Sequence, residues 1–472
     1  MEPSQRIASV TIDATAPATP RPRVARFGEM LRRHSHAIRR LQWAVILFYL
    51  ALLIIPAFMP LPDNSARIVD NIRLFAQFLF WGIWWPFVLL SIVLLGRLWC
   101  GLLCPEGALS EWASEYGRSG GVPRWMRWGG WPTLGFILTT LYGQLISVYD
   151  YPQAALLILG GSTLAAMLVG YLYGRGKRVW CRYLCPVSGV FNLLARLSPL
   201  HYRVDPQAWR DNRPPHRSVP NCAPLLDIRR MQGAADCHAC GRCSGQRDAV
   251  WLSLRPMNRE ILEASGSAGT GWDIRLLLYG MIGLAIGAFQ WTVSPWLVTV
   301  KQALAAWMVN HDMTWLLERT APWWLLTNYP ENNDVFNVLD GAVVGFYILA
   351  SALLIGATVH GLVALAARMA RLGSRGLLHL AQSLIPIAGA GLFLGLSSTT
   401  VKWLRFEGLG LDWIGAVRAV LLLGAMFWSL WLGWQILGQG TSGRTLRLAA
   451  WCNLLGANLL IGGCWWLQFW GW

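Results

Sequence analysis

Nonpolar residues in this chain come in long, nearly unbroken runs separated by polar stretches rich in arginine. The runs fall at about 42–60, 74–97, 131–149, 153–173, 273–293, 339–365, 377–400, 412–437 and 448–470. At ~20 residues per bilayer crossing they predict roughly nine transmembrane helices and an all-α integral membrane protein. Gly135, Gly143 and Gln144 interrupt the third run, and the short Tyr149–Pro152 connection predicts a tight helical hairpin with the fourth. The pattern divides the chain into a basic tail, 1–41, a four-helix region, 42–175, a polar module, 176–272, and a five-helix region, 273–472.

Composition supports the membrane reading: 55% of residues are hydrophobic, only 14% are charged, and there are 29 tryptophans. The net charge of +16 is set by arginine, since Lys177, Lys301 and Lys402 are the three lysines. In a soluble protein that balance would raise nucleic-acid binding. Arginines that flank apolar runs instead read as topology, and no nucleic-acid partner is expected. Arginine-rich segments at 1–40, 97–128, 175–272, 366–376 and 440–447 alternate with poorer ones. That places the N-terminus and the module in the cytoplasm and Trp472 on the periplasmic side of a bacterial inner membrane. The tail carries eight arginines before the first run and reads as disordered, held against anionic lipid by Arg32-Arg33 and Arg39-Arg40. Trp99, Trp180 and the Trp465-Trp466 pair fall at predicted span ends, as an interfacial aromatic belt requires.

One stretch repeats. Arg97-Leu-Trp-Cys100-Gly-Leu-Leu-Cys104-Pro105 returns as Arg178-Val-Trp-Cys181-Arg-Tyr-Leu-Cys185-Pro186, with six of nine positions identical. Each copy ends an apolar run, so the duplication brings four thiols to one membrane rim. Of ten cysteines, Cys222 and Cys237-x-x-Cys240-x-x-Cys243 complete a group of eight, while Cys452 and Cys464 stand apart as packing residues. A reducing compartment disfavours disulfides and points to metal. Zinc prefers two Cys-x-x-Cys knuckles, whereas a tight Cys-x-x-Cys-x-x-Cys suits three corners of an iron–sulfur cubane.

The motif Cys237-His-Ala-Cys240-Gly-Arg-Cys243, combined with the doubled Cys-x-x-x-Cys-Pro in one polytopic chain, resembles the membrane polyferredoxin family of the NapH, NosR and CcoG kind. The resemblance covers about 74–260. It implies an inner-membrane iron–sulfur protein that handles electrons for respiratory reductases or for their assembly. The usual fourth ferredoxin ligand position holds Arg247, and Cys222 is the available replacement. The expectation is two [4Fe–4S] clusters, one on Cys100, Cys104, Cys181 and Cys185, the other on Cys222, Cys237, Cys240 and Cys243; exchange of a ligand between the sets is the alternative pairing. Arg97, Arg178, Arg182 and Arg242 beside the thiols read as topology or as cations that raise the cluster potential.

His360 and His379 lie in the sixth and seventh runs, where an ionisable residue is a functional candidate. They read as a quinol site, as haem b ligands, or as hydrogen-bonded packing residues. The favoured function is electron transfer from the quinone pool through the clusters to a redox partner protein. A maturation factor that supplies electrons to the assembly of another complex is the alternative. A transporter is disfavoured, because no predicted span carries the acidic residues that ion coupling needs.

Overall fold

The computed structural model describes residues 22–60, 62, 66–212, 221–440 and 443–472. Among them eight helices are long and apolar enough to cross a membrane: Ser35–Phe58, Ile72–Leu95, Pro152–Tyr173, Gly271–Gln290, Val338–Met369, Ser374–Phe406, Ile414–Gly440 and Arg444–Gly471. The protein is an all-α, multi-pass membrane protein. The remaining expected span, 131–149, is a helix of only 15 residues, Trp131–Leu145. At 1.5 Å per residue it measures about 22 Å, short of a ~30 Å hydrocarbon core. It still joins both faces of the bundle. Trp128, just before it, meets Trp272 edge-on at 4.9 Å, and the Leu145 carbonyl accepts from the Thr327 amide and hydroxyl at the opposite face. A short turn joins Trp131–Leu145 to Pro152–Tyr173 and sets Gly143 beside Ile158, but the two helices do not pack along their length as the expected tight hairpin would.

The main apolar core gathers one face from most spans. Ile92, Leu277, Val359, Leu384, Leu432 and Leu454, from six different spans, are all fully buried within it. A second core joins Tyr49, Phe80, Ile146 and Ala154 of the first three spans and the hairpin turn. Trp465 belongs to the main core at 1% exposure, and Trp180 is also buried, so neither serves in an aromatic belt; Trp466 is exposed. Cys452 is exposed and Cys464 half-buried, so packing accounts for the second at most.

Backbone groups inside a bilayer must find partners within the protein. Pro86 in the second span has no N–H to offer the Gly82 carbonyl, and the Thr400 hydroxyl of the sixth span donates to that oxygen. Pro386 interrupts the sixth span in the same way, and the Ile387 amide there donates to Ser429 Oγ at 3.2 Å.

The polar module has more internal structure than its composition predicts. Strand β1, Leu200–Val204, pairs antiparallel with β2, Val250–Leu254, with Tyr202 opposite Leu252. Leu200, Tyr202, Ile228, Val250 and Leu252 form a small apolar core, with Cys222, Cys237 and Cys243 packed against it. The tail departs further from expectation. Residues 1–21 lie outside the described residues, but Arg23–Arg33 is a helix, α1, and the first span already begins at Ser35. Ala25, Gly28 and Leu31 recur three apart and bury one face of α1 against Tyr202, Leu252 and Gly241 of the module. Arg32 and Arg33 in its last turn complement the helix dipole.

Replacing Thr400 by Val removes the donor to the Gly82 carbonyl and is expected to lower stability by about 1–3 kcal/mol. Thr358→Val, which loses only a bond to Leu354 of its own helix, is expected to be near neutral. Thermal unfolding of the two variants in one detergent compares them.

Candidate metal centres

The two rim motifs fold alike. Each is a single helical turn, Leu98–Leu102 or Val179–Tyr183. The Trp99 carbonyl accepts from the Leu103 and Cys104 amides at 2.9 and 3.0 Å, and the Trp180 carbonyl accepts from Leu184 and Cys185 at the same two distances. Proline then closes each motif. Cys104 caps the helix Pro105–Glu115, its sulfur accepting from the Gly107 amide at 3.5 Å. Cys100 and Cys181 are buried, Cys104 and Cys185 half-buried.

Arginines lock the copies together crosswise. Arg97 of the first copy donates to Ser188 Oγ at 2.9 Å, and Ser188 donates to the Cys181 carbonyl at 2.8 Å. Arg178 of the second copy donates to the Cys100 carbonyl and to the Gly101 carbonyl at 3.4 Å. Both guanidiniums are buried, Arg178 completely. Glu111 pairs with Arg178 at 2.8 Å and with Arg242 at 2.5 Å. Burial alone would push the Glu111 carboxyl up, but the two guanidiniums outweigh it and hold it below the usual range. Topology therefore does not account for Arg97 and Arg178, and Ser188 and Glu111 are partners that the sequence pattern did not mark.

The second set of thiols lies directly on the first. Left-handed backbone at Ala239 (φ 49°) and Gly241 (φ 82°) wraps the Cys237–Cys243 loop. The loop rests on Gly101, where an added Cβ would come within 2.1 Å of the His238 carbonyl oxygen and 3.0 Å of the Cys240 Cα. The matching position of the second copy is Arg182, which reaches Asp236 at 2.8 Å. One repeat thus supplies a flat seat and the other a tether.

Each quartet lines its own cavity. Cys222, Cys237, Cys240 and Cys243 surround one, and Cys100, Cys104, Cys181 and Cys185 open on another; neither cavity is lined by a cysteine of the other set. Burial and then the neighbouring thiols push Cys104 well up, burial and then Glu106 and the thiols do the same to Cys185, and burial holds Cys181 at about 12 despite Arg178. Burial likewise takes Cys237 to about 12 and raises Cys222 and Cys243. Thiols that oppose one another's ionisation are a donor set suited to cations placed among them. Gly107 leaves room, since a Cβ there would lie 3.4 Å from Cys181 Sγ and 3.6 Å from Cys104 Sγ. Among the described residues no three His, Cys, Asp or Glu side chains converge tightly enough for one metal ion. Four thiols around one cavity are the donor number that a four-iron cubane takes. The residues fit.

The intramembrane histidines have separate partners. His360 Nδ1 meets the Tyr279 hydroxyl at 3.1 Å, and His379 Nε2 donates to the Ile261 carbonyl at 2.6 Å. His311, at the opposite face, bonds the Trp307 carbonyl.

Residues 77–123 and 156–204 each match the 4Fe-4S binding domain family, so the match occurs twice, once per rim motif. Cys222 and the Cys237 motif lie outside both stretches. The chain is 24% identical over 226 residues to YccM of Escherichia coli, a protein provisionally named for electron transport, covering 43% of this chain and 62% of YccM. It is 28% identical over 178 residues to the ferredoxin-type protein NapH of Haemophilus influenzae, covering 33% of this chain and 61% of NapH. It is 33% identical over 133 residues to the regulatory protein NosR of Pseudomonas aeruginosa, covering 24% of this chain and 18% of NosR. The chain therefore spans less than two thirds of each relative. No solved structure matches it. The resemblance to membrane ferredoxin-type proteins read from the motifs is borne out.

Removing one member of a buried ion pair typically costs about 3–5 kcal/mol. Arg178→Leu is therefore expected to lower the unfolding midpoint strongly, and adding Glu111→Leu to recover part of the loss in the same thermal assay. Burial first, then Arg255, lowers the β1 residue His201 from 6.5 to about 4. The unfolded chain takes up that proton at higher pH than the folded one, so stability is complete above about 6.5 and falls as the pH drops from 6.5 towards 4. His201→Gln should flatten the thermal midpoint across that window.

Proposed function

We propose that this chain is an electron-transfer protein of the bacterial inner membrane, holding one [4Fe–4S] cluster on Cys100, Cys104, Cys181 and Cys185 and a second on Cys222, Cys237, Cys240 and Cys243. The observation that carries the reading is the seat at Gly101, where the backbone of one cysteine quartet touches that of the other. Such clusters exchange single electrons when bound, so a pair of them matches a two-electron donor such as a quinol.

The remaining roles fall to the chain itself. Arg178 holds the Cys100 carbonyl and Arg97 holds Ser188, which bonds the Cys181 carbonyl, and together they bring two buried positive charges to a site where reduction of a bound cluster would add negative charge. Burial of Cys100 and Cys181 keeps water from the rim site. The arginine-rich face is cytoplasmic by the charge pattern, which puts both sites, the N-terminus and the docking of a redox partner protein on that side. Donation from the quinone pool is favoured because the rim quartet opens on an apolar chamber within the bundle.

Anaerobically purified protein is expected to contain about eight irons and matching acid-labile sulfide, two four-iron clusters per chain. Low-temperature EPR after dithionite reduction should lose one signal in Cys104→Ala and the other in Cys240→Ala. About four irons, unchanged by Cys104→Ala, would remove the rim cluster; zinc without iron would overturn the redox reading.

A further inference from the structure

The helix α1 and the first span meet at an elbow on His34, and a cleft of ≈ 420 Å³ opens beside it. Ser35, Arg39, Gln42 and Trp43 recur at three- and four-residue spacing, so one face of the first span forms one wall. Glu111, Trp112 and Glu115 of the helix Pro105–Glu115 form the other. Arg32, His36 and Arg39 at the mouth are exposed, and Gly101 and Cys240 lie at the inner end. Cys240 lines both this cleft and the cavity of its own quartet. The cleft therefore leads from solution to the second set of thiols.

Two features of the mouth point to a protein. The first is charge. Arg23, Arg26, Arg32, Arg33, Arg39 and Arg40 are all exposed, and Glu29 is the one acid among residues 22–43. Arg33 approaches Glu29 at 3.8 Å and Arg39 pairs with Glu115 at 2.6 Å, while Arg32 and Arg40 have no carboxylate partner among the described residues. A topological charge would lie against lipid, but α1 rests its buried face on Tyr202, Gly241 and Leu252 of the module. The second feature is aromatic. Trp43 meets Trp112 edge-on, and Trp112 meets Tyr116, each at 5.7 Å. Tyr116 ends this series next to Glu115 and is 70% exposed. Exposed aromatic rings set among arginines are the composition that anchors protein–protein contacts.

We propose that the elbow and its cleft are the docking surface for an acidic, soluble electron-carrier protein, which packs on Tyr116 and meets the arginines with its carboxylates. The assignment rests on the reading that the second quartet holds a cluster, and it gives the redox partner of that reading a place and a charge. One electron passes at the Cys240 end from the reduced cluster to the oxidised carrier; no bond forms and no proton moves. Charge of one sign over such a face speeds encounter more than it prolongs the complex. An anionic lipid headgroup would use the arginines nearest the span, but it needs neither Tyr116 nor an opening onto Cys240.

The test uses the full chain in nanodiscs of zwitterionic phospholipid, which leave both faces open to solution. The probe is an acidic plant-type [2Fe–2S] ferredoxin, with a basic cytochrome c as control, and surface plasmon resonance reads both rates. The ferredoxin should bind and the cytochrome should not. Binding should fade as salt shortens the Debye length from ~10 Å at about 0.1 M to ~3 Å at about 1 M. Arg32→Glu and Arg40→Glu should each slow association about tenfold, and Tyr116→Ala should speed dissociation about tenfold. Arg405→Glu makes the same charge change near the Lys402–Asp150 pair of the opposite face and should alter neither rate. All four variants should keep the parent's iron content and thermal midpoint. No ferredoxin binding, or binding that Arg405→Glu weakens as much as Arg32→Glu, would overturn the surface. So would co-purified anionic phospholipid that the ferredoxin does not displace and that Arg32→Glu and Arg40→Glu lose, since the arginines would then serve the bilayer. Binding with the expected variant pattern by a chain that holds zinc in place of iron would keep the surface and remove the electron-transfer reading. Two clusters that dithionite reduces, with no ferredoxin bound, would keep that reading and remove the surface.

Discussion

Each rim motif is held by an arginine that belongs to the other. Burying a guanidinium costs several kcal/mol unless its donors are met, and Arg178 meets them with the Cys100 and Gly101 carbonyls and Glu111. Arg97 meets two of its groups through Ser188 and the Ala235 carbonyl, while its buried Nε has no partner among the described residues. Neither motif is complete alone. The backbone that presents Cys100 is fixed from the second copy and the backbone that presents Cys181 from the first, so duplication is a condition of the site. The Ala235 contact extends the same device to the cysteine loop, because it holds the chain two residues before Cys237.

The bilayer imposes the other main constraint, that every backbone polar group find a partner inside the protein. Prolines in the second and sixth spans break the regular ladder, and Thr400 and Ser429 bond the groups beside them. The π turns of the second and third spans belong to the same economy. Phe78–Trp84 and Leu156–Gly160 keep the hydrogen bonding internal while adding width, and residues of both line the cavity that the rim cysteines open on. Apolar volume next to the rim cysteines is thus a product of how these helices satisfy themselves.

Much of this was legible in the sequence because the signals were long or repeated. Eight apolar runs became spans, and the doubled Cys-x-x-x-Cys-Pro announced a duplicated site. Short-range ambiguity hid the rest. Trp131–Leu145 is apolar over too few residues for its crossing to be certain from pattern alone. The helix α1 looked like a tail because four arginines among eleven residues outweighed the spacing of Ala25, Gly28 and Leu31. Arg97 and Arg178 carried no mark that separates a buried brace from a topological charge. The exchange of Gly101 for Arg182 in otherwise matching motifs was visible, and it is where the cysteine loop is seated. Trp465 and Trp180 looked like belt residues, since position along a span says nothing about which way a ring faces.

The helix α1 carries a consequence for the order in which the protein is made. It is made before the eight described spans, yet its contact surface, Tyr202, Gly241 and Leu252, lies about two hundred residues downstream. Three long spans and one short helix must be inserted before the beginning of the chain meets its partner. Assembly of the cysteine loop is therefore a late event that waits on long-range closure. Until α1 settles over Gly241 that side of the loop is open, and the proposed second cluster would be loaded most readily in that interval.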